Sequence, residues 1–148
     1  METGRARYST ARVSEENLEI VREAYAALAR ALESGDLAEP MGRWWDPDCV
    51  LKPSGLFPES AEARGHEGVR QFLETQLDAF EEMRVEPLEF IDAGERVVVP
   101  VSFGGRARHS GLEIEFSIVH VLTVRHERLL RLDMFRTKAQ ALEAVSPG

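Results

Sequence analysis

Apolar residues recur at helical spacing through the first half of the chain and at strand spacing through the second, with the change near Val85. In SEENLEIVREAYAALARALESGD, Leu18, Val21, Tyr25, Leu28 and Leu32 follow at intervals of three and four. This is one stripe of a long amphipathic helix, with Ser14 as candidate N-cap and Ser34-Gly35 as its stop. Asp36 is placed to cap a second, shorter helix, with Pro40 in the first turn, where its missing N–H does little harm. Leu37, Met41, Trp44 and Trp45 give that helix a heavy apolar side before Asp46-Pro47 ends it. CVLKP is a short strand at best, and Pro53 to Gly65 reads as a loop. GHEGVRQFLETQLDAF then puts Val69, Phe72, Leu73, Leu77 and Phe80 on one face of a third helix.

Beyond Val85 the pattern predicts strands at about 85–92, 96–108, 112–125 and 129–137, separated by Ala93-Gly94, Ser110-Gly111 and a turn around His126-Glu127. KAQALEAV adds a last helical turn or two. Helices first and an antiparallel meander second is the α+β pattern, with helices laid on one face of a curved sheet. No repeat or linker divides the chain. The expected organisation is a flexible tail over 1–13 and one domain over 14–146, since 148 residues suffice for a single core burying roughly 70% of the unfolded surface.

Two residues break the apolar pattern of the last hairpin, SIVHVLTVRHERLLRLDMF. A two-residue turn at His126-Glu127, or a four-residue loop from Arg125 to Arg128, sets His120 directly opposite Asp133. Opposed Cβ atoms lie ~4.5–5.5 Å apart, within reach of a hydrogen bond between these side chains, whereas a three-residue loop would separate them. In that register Ile118, Leu122, Arg131 and Phe135 share the face of His120 and Asp133, and Val119, Val121, Leu130, Leu132 and Met134 point the other way. Both faces are apolar, so one covers the helices and the other is expected to be buried in a homodimer. A buried carboxylate needs a partner. His120 supplies one at the floor of a polar spot in an apolar pocket, and Arg131 is a second candidate that would hold Asp133 ionised.

Composition narrows the possible partners. The net charge is −8, from 26 acidic and 18 basic residues with scattered arginines, which disfavours nucleic acid and anionic membrane surfaces. No apolar run approaches the ~20 residues that span a bilayer, and METGRARYSTARV lacks the apolar core of a secretory signal. The lone Cys49 has neither disulfide nor thiol-redox spacing around it, which fits a reducing compartment, so a cytoplasmic location is expected. His66, His109, His120 and His126 are scattered without ligand spacing, and GHEG lacks the Lys and the repeated glycines of a phosphate loop. No metal and no cofactor are expected, and a small hydrophobic molecule is the expected ligand. Trp44 or Trp45 is placed to line a pocket mouth, and Tyr25 to bring its hydroxyl to the pocket from the first helix.

The opening NLEIVREAYAALARALESGDLAE, then WWDPDCVLKP, ARGHEGVRQFLE and the closing RLLRLDMF with its short helix, resemble the SnoaL-like branch of the nuclear transport factor 2-like (ketosteroid-isomerase-like) superfamily over about residues 15 to 145. The resemblance implies a cone-shaped barrel: a curved antiparallel sheet wrapped around three N-terminal helices, with an internal apolar pocket and commonly a dimer through the sheet. It also implies an acid/base role for Asp133, with His120 on the preceding strand as in the polyketide cyclases. The chain departs from the epoxide hydrolases, which carry an Arg and a second Asp where VVVPVSF has Pro100 and Ser102. It departs from ketosteroid isomerase at Leu51, Lys52 and Pro53, where the catalytic base would stand.

Two functions follow as expectations. The first is a cofactor-independent acid/base catalyst, of cyclase or isomerase type, on a small polyketide-like or steroid-like carbonyl compound. Asp133 and His120 would be catalytic, and Trp44, Tyr25, Ile118, Leu122, Arg131 and Phe135 would contact the ligand. The second is a binding or accessory protein using the same pocket.

Overall fold

The computed structural model describes the backbone of residues 2–55 and 61–146, and side chains over 15–53 and 61–146. Among the described residues four helices, α1 (Glu2–Ser34), α2 (Ala38–Trp44), α3 (Gly65–Ala79) and α4 (Lys138–Val145), accompany seven strands. These are β1 (Trp45–Gly55), β2 (Ala63–Arg64), β3 (Phe80–Pro87), β4 (Ile91–Ala93), β5 (Arg96–Ala107), β6 (Glu113–Arg125) and β7 (Arg128–Phe135). The sheet runs β2-β1-β7-β6-β5-β3, with β4 added to β5. It is curved and unclosed, and the helices pack against it in the α+β arrangement expected from the sequence.

The helical periods are met closely at α3 and α4, and Gly35, with φ 81, ends α1 in the left-handed conformation that favours glycine. Asp36 accepts a hydrogen bond from the Ala38 amide at 3.0 Å at the start of α2. Other expectations change. The strand expected over 85–92 begins at Phe80, assigned from the sequence to the third helix, ends at Pro87 and is followed by the short β4. α1 already begins at Glu2, inside the stretch expected to be a flexible tail, and Ser14 lies within it rather than capping it. No proline interrupts residues 2–14, so nothing breaks the helical period there. CVLKP belongs to an eleven-residue strand, β1, held in parallel against β7 and so closing the meander with a non-antiparallel pair. Part of the loop expected over Pro53 to Gly65 lies outside the described residues.

α1, α2 and α3 pack on the concave face. There Val21, Tyr25, Trp45, Leu51, Val99 and Leu122 join one buried cluster. On the convex face Val98, Val119 and Val121 are buried under Ala141 of α4, with Phe135 packed beside them. Two apolar faces are therefore present as the strand pattern implies. Around Val98, Val119 and Val121 the outer one is covered by α4.

The β6–β7 hairpin decides where the chemistry sits. Its turn is the two-residue His126-Glu127, both at positive φ (51 and 64), and Arg125↔Arg128 and Val124↔Leu129 pair as expected. Leu130 is then an extra residue, and pairing resumes at Thr123↔Arg131. This β-bulge moves every later pair by one position, so His120 faces Met134 and Val121 faces Asp133. Because side chains alternate across a strand, one extra residue exchanges the two faces of β7. Leu132 and Met134 turn to the concave side, and Arg131, Asp133 and Phe135 to the convex side. The expected His120–Asp133 contact does not form.

Candidate functional site

The concave face encloses a cavity of about 260 Å³, near the lower end of the ~300–1,000 Å³ usual for small-molecule sites. Strand β6 contributes a strict two-residue period, Ile114, Phe116, Ile118, His120 and Leu122. Tyr25 and Leu28 come from α1, Trp45 and Leu51 from β1, Phe72 and Gln76 from α3, and Leu132 and Met134 from β7. Apart from the methionine sulfurs, the polar side-chain atoms on these walls belong, among the described residues, to Tyr25, Trp45, Gln76 and His120.

Two of these four are joined. Tyr25 Oη lies 2.7 Å from His120 Nδ1, with the two rings nearly parallel at 6.0 Å between centroids. Tyr25 is placed by the apolar stripe of α1 and packs edge-on against Phe90, 6.1 Å away. His120 sits in the middle of β6, opposite Val99 and Met134, and His120 Nε2 is buried without a hydrogen-bond partner among the described residues. If the tyrosine donates to Nδ1, the ring carries its proton on Nε2 and one donor is left over. The opposite tautomer strands both the phenol proton and the Nε2 lone pair, so the first arrangement is favoured.

Burial sets the charge of the pair. Desolvation lowers the His120 pKa from 6.5 to about 4 and raises that of Tyr25 well above its usual value. Both groups are therefore neutral near pH 7. Cys49, also buried, is pushed up to about 11 chiefly by desolvation and is an inert thiol.

Of the residues expected to form the site, Tyr25, Ile118, His120 and Leu122 line the cavity and four do not. Asp133 lies on the convex side, where its carboxylate accepts hydrogen bonds from Arg131 Nε at 2.8 Å and Nη2 at 3.1 Å. The pairing of Asp133 with Arg131 is thus as anticipated, but outside the pocket, so Asp133 has no access to a molecule in the cavity. Phe135 is displaced to the convex face by the same bulge. Trp44 is buried in the core with the Arg43 guanidinium 4.6 Å over its ring, and its neighbour Trp45 takes the place on the cavity wall. Ile114 and Phe116 were missed, although their alternation with His120 is plain in EIEFSIVHVL. Leu132 and Met134 were assigned to the wrong face for want of the bulge. Among the described residues no group of three or more His, Cys, Asp or Glu side chains could hold a metal ion, and no helix is long and apolar enough to cross a membrane.

No curated protein matches the chain. Solved structures do. An NTF2-like protein of unknown function from Burkholderia pseudomallei is 27% identical, with 89% of this chain and 98% of that chain covered and a TM-score of 0.67. TerC, co-crystallized with polyporic acid, is 24% identical over 88% of this chain and 98% of its own, with a TM-score of 0.67. A candidate SnoaL-like polyketide cyclase from Jannaschia sp. CCS1 is 16% identical over 90% and 94%, again with a TM-score of 0.67. At these identities the likeness establishes the fold, an NTF2-like cone whose helices and curved sheet enclose the cavity described above. The SnoaL-like domain family itself matches residues 21–132, from the cavity side of α1 to the bulged strand β7, and the chain belongs to that family.

Proposed function

We propose that the protein is a cofactor-independent catalyst of cyclase or isomerase type, acting on a small hydrophobic carbonyl compound held in the concave cavity. The Tyr25–His120 pair takes the place first given to Asp133. The observation that carries this reading is the 2.7 Å contact between Tyr25 and His120 on walls that are otherwise apolar but for Trp45 and Gln76. A neutral phenol and a neutral imidazole in contact can shift a proton at both ends without creating net charge, which suits a site that penalises charge. The carbon beside the carbonyl gives its proton to Tyr25 Oη, the phenol proton passes to His120 Nδ1, and the Nε2 proton goes to the carbonyl oxygen. Ketone becomes enol, and ring closure or double-bond migration follows from the enol. The family, and a structural relative crystallised with polyporic acid, support a small organic occupant.

A second reading, binding without turnover, is favoured by one observation: Asp133 is tied to Arg131 outside the cavity, and among the described residues no carboxylate lines the walls to serve as base. The same pair would then only anchor a ligand oxygen. Incubating the protein in deuterated water with a panel of hydrophobic cyclic ketones separates the two. Catalysis exchanges the proton beside the carbonyl, and Tyr25→Phe lowers the exchange rate by ~10²–10⁴-fold while binding persists. Binding without exchange establishes the second reading, and absence of binding removes both.

A further inference from the structure

A second space lies against the cavity. It is a groove of about 1040 Å³ between α1 and the edge strand β3, rimmed by Arg22, Glu33, Glu82, Arg84 and Glu86. Tyr25, Met83 and Val85 line both spaces and are therefore the wall between them. Two members of this wall are held. Tyr25 is bonded to His120 and packed on Phe90, and Val85 is β-branched and in register with Phe103.

Met83 is not held in this way. It lies with Glu82 between the pairs Glu81↔Arg106 and Arg84↔Gly104, where β3 carries one residue more than β5. Glu82 has φ 54, a conformation that glutamate rarely adopts and that only the surrounding bulge maintains. Opposite, Gly105 lets the bulged backbone approach closely, since a Cβ there would stand 3.3 Å from the Phe80 Cβ and 3.5 Å from the Met83 Cα, so any freedom at Met83 is that of its side chain. Methionine is unbranched and reorients at low cost.

We propose that the α1–β3 groove is the vestibule of the cavity and that Met83 is the gate through which hydrophobic ligands pass from one to the other. This rests on the reading of the cavity as a ligand site and adds the route by which it is filled. The competing route is the end of the cavity at Phe116, which lines it and is 37% exposed. A gate changes the height of a barrier and leaves the bound state alone, so it alters association and dissociation together.

The test is stopped-flow binding of the neutral probe N-phenyl-1-naphthylamine, followed by energy transfer from tryptophan, with Trp45 on the cavity wall as the near donor. Met83→Ala is expected to speed both rate constants, and the stiffer Met83→Leu to slow both, by about tenfold, with the Kd moving less than about threefold. Met83→Leu nearly conserves volume and keeps the comparison valid should the alanine variant unfold. Rates that follow Phe116→Ala and ignore position 83 overturn the gate and leave the cavity reading standing. A probe that binds without energy transfer, or not at all, overturns both.

Discussion

Neutral, buried and in contact, Tyr25 and His120 make the polar centre of this protein, and their neutrality has a measurable cost in acid. The folded His120 has its pKa lowered from 6.5 to about 4, so between these values the unfolded chain binds a proton that the folded chain does not. Its contribution to stability is therefore complete above about pH 6.5 and is lost as the pH falls toward 4, by up to ~3 kcal/mol. Urea unfolding at a series of pH values should show this slope in the parent chain, and His120→Gln should remove it. Asp46 behaves differently. The Asp48 amide, donating to its carboxylate at 2.8 Å, is the main cause of a lowered pKa, aided by Arg125. Its contribution is present above the ordinary carboxylate range and fades only below it, so Asp46→Asn leaves the slope near pH 6 intact. Asp133 supplies the contrasting case. Its pair with Arg131 is partly exposed, and such pairs are worth about 0.2–1 kcal/mol. Asp133→Asn is expected to cost no more than that in denaturant titrations and to leave ligand affinity and proton exchange unchanged, whereas Tyr25→Phe lowers exchange by ~10²–10⁴-fold.

At the scale of elements, the last hairpin carries both a correct and an incorrect expectation. The turn at His126-Glu127 was legible, and its pairs next to the loop follow from it. What was not legible is Leu130, because a bulge leaves no mark in a run such as RLLRLDMF, where Leu129, Leu130 and Leu132 are equally suited to either face. The turn itself is suboptimal, since both central residues adopt positive φ without being Gly or Asn. Replacing them together, His126→Asn with Glu127→Gly, should stabilise the fold by ~1 kcal/mol and raise the melting temperature by ~2–4 °C in a thermal scan. The helices were easier to read, because an amphipathic stripe is repeated over several turns and one ambiguous position does not alter its phase.

For the molecule as a whole, α4 governs the convex side. Ala141 is fully buried against Val98, Val119 and Val121. A chain ending after Arg136 would expose that patch. Sedimentation velocity should then show more self-association than the full chain does, together with a lower melting temperature. The helical stripes of α1 and α3, the two apolar faces of the sheet and the presence of His120 in the core were determined by the sequence itself, because each rests on a period sustained over many residues; the cone was implied by the resemblance to SnoaL-like proteins, and β1, which precedes α3, was seen only as the short CVLKP. Which residues meet was decided by the tertiary structure. A single added residue at Leu130 carried Asp133 out of the cavity and Met134 into it. α1 brought Tyr25 to His120 across 95 positions of sequence. The physical reason is the same in both cases: local pattern sets the conformation of a segment, but the face it presents and the partner it finds depend on register and packing between segments far apart in the chain.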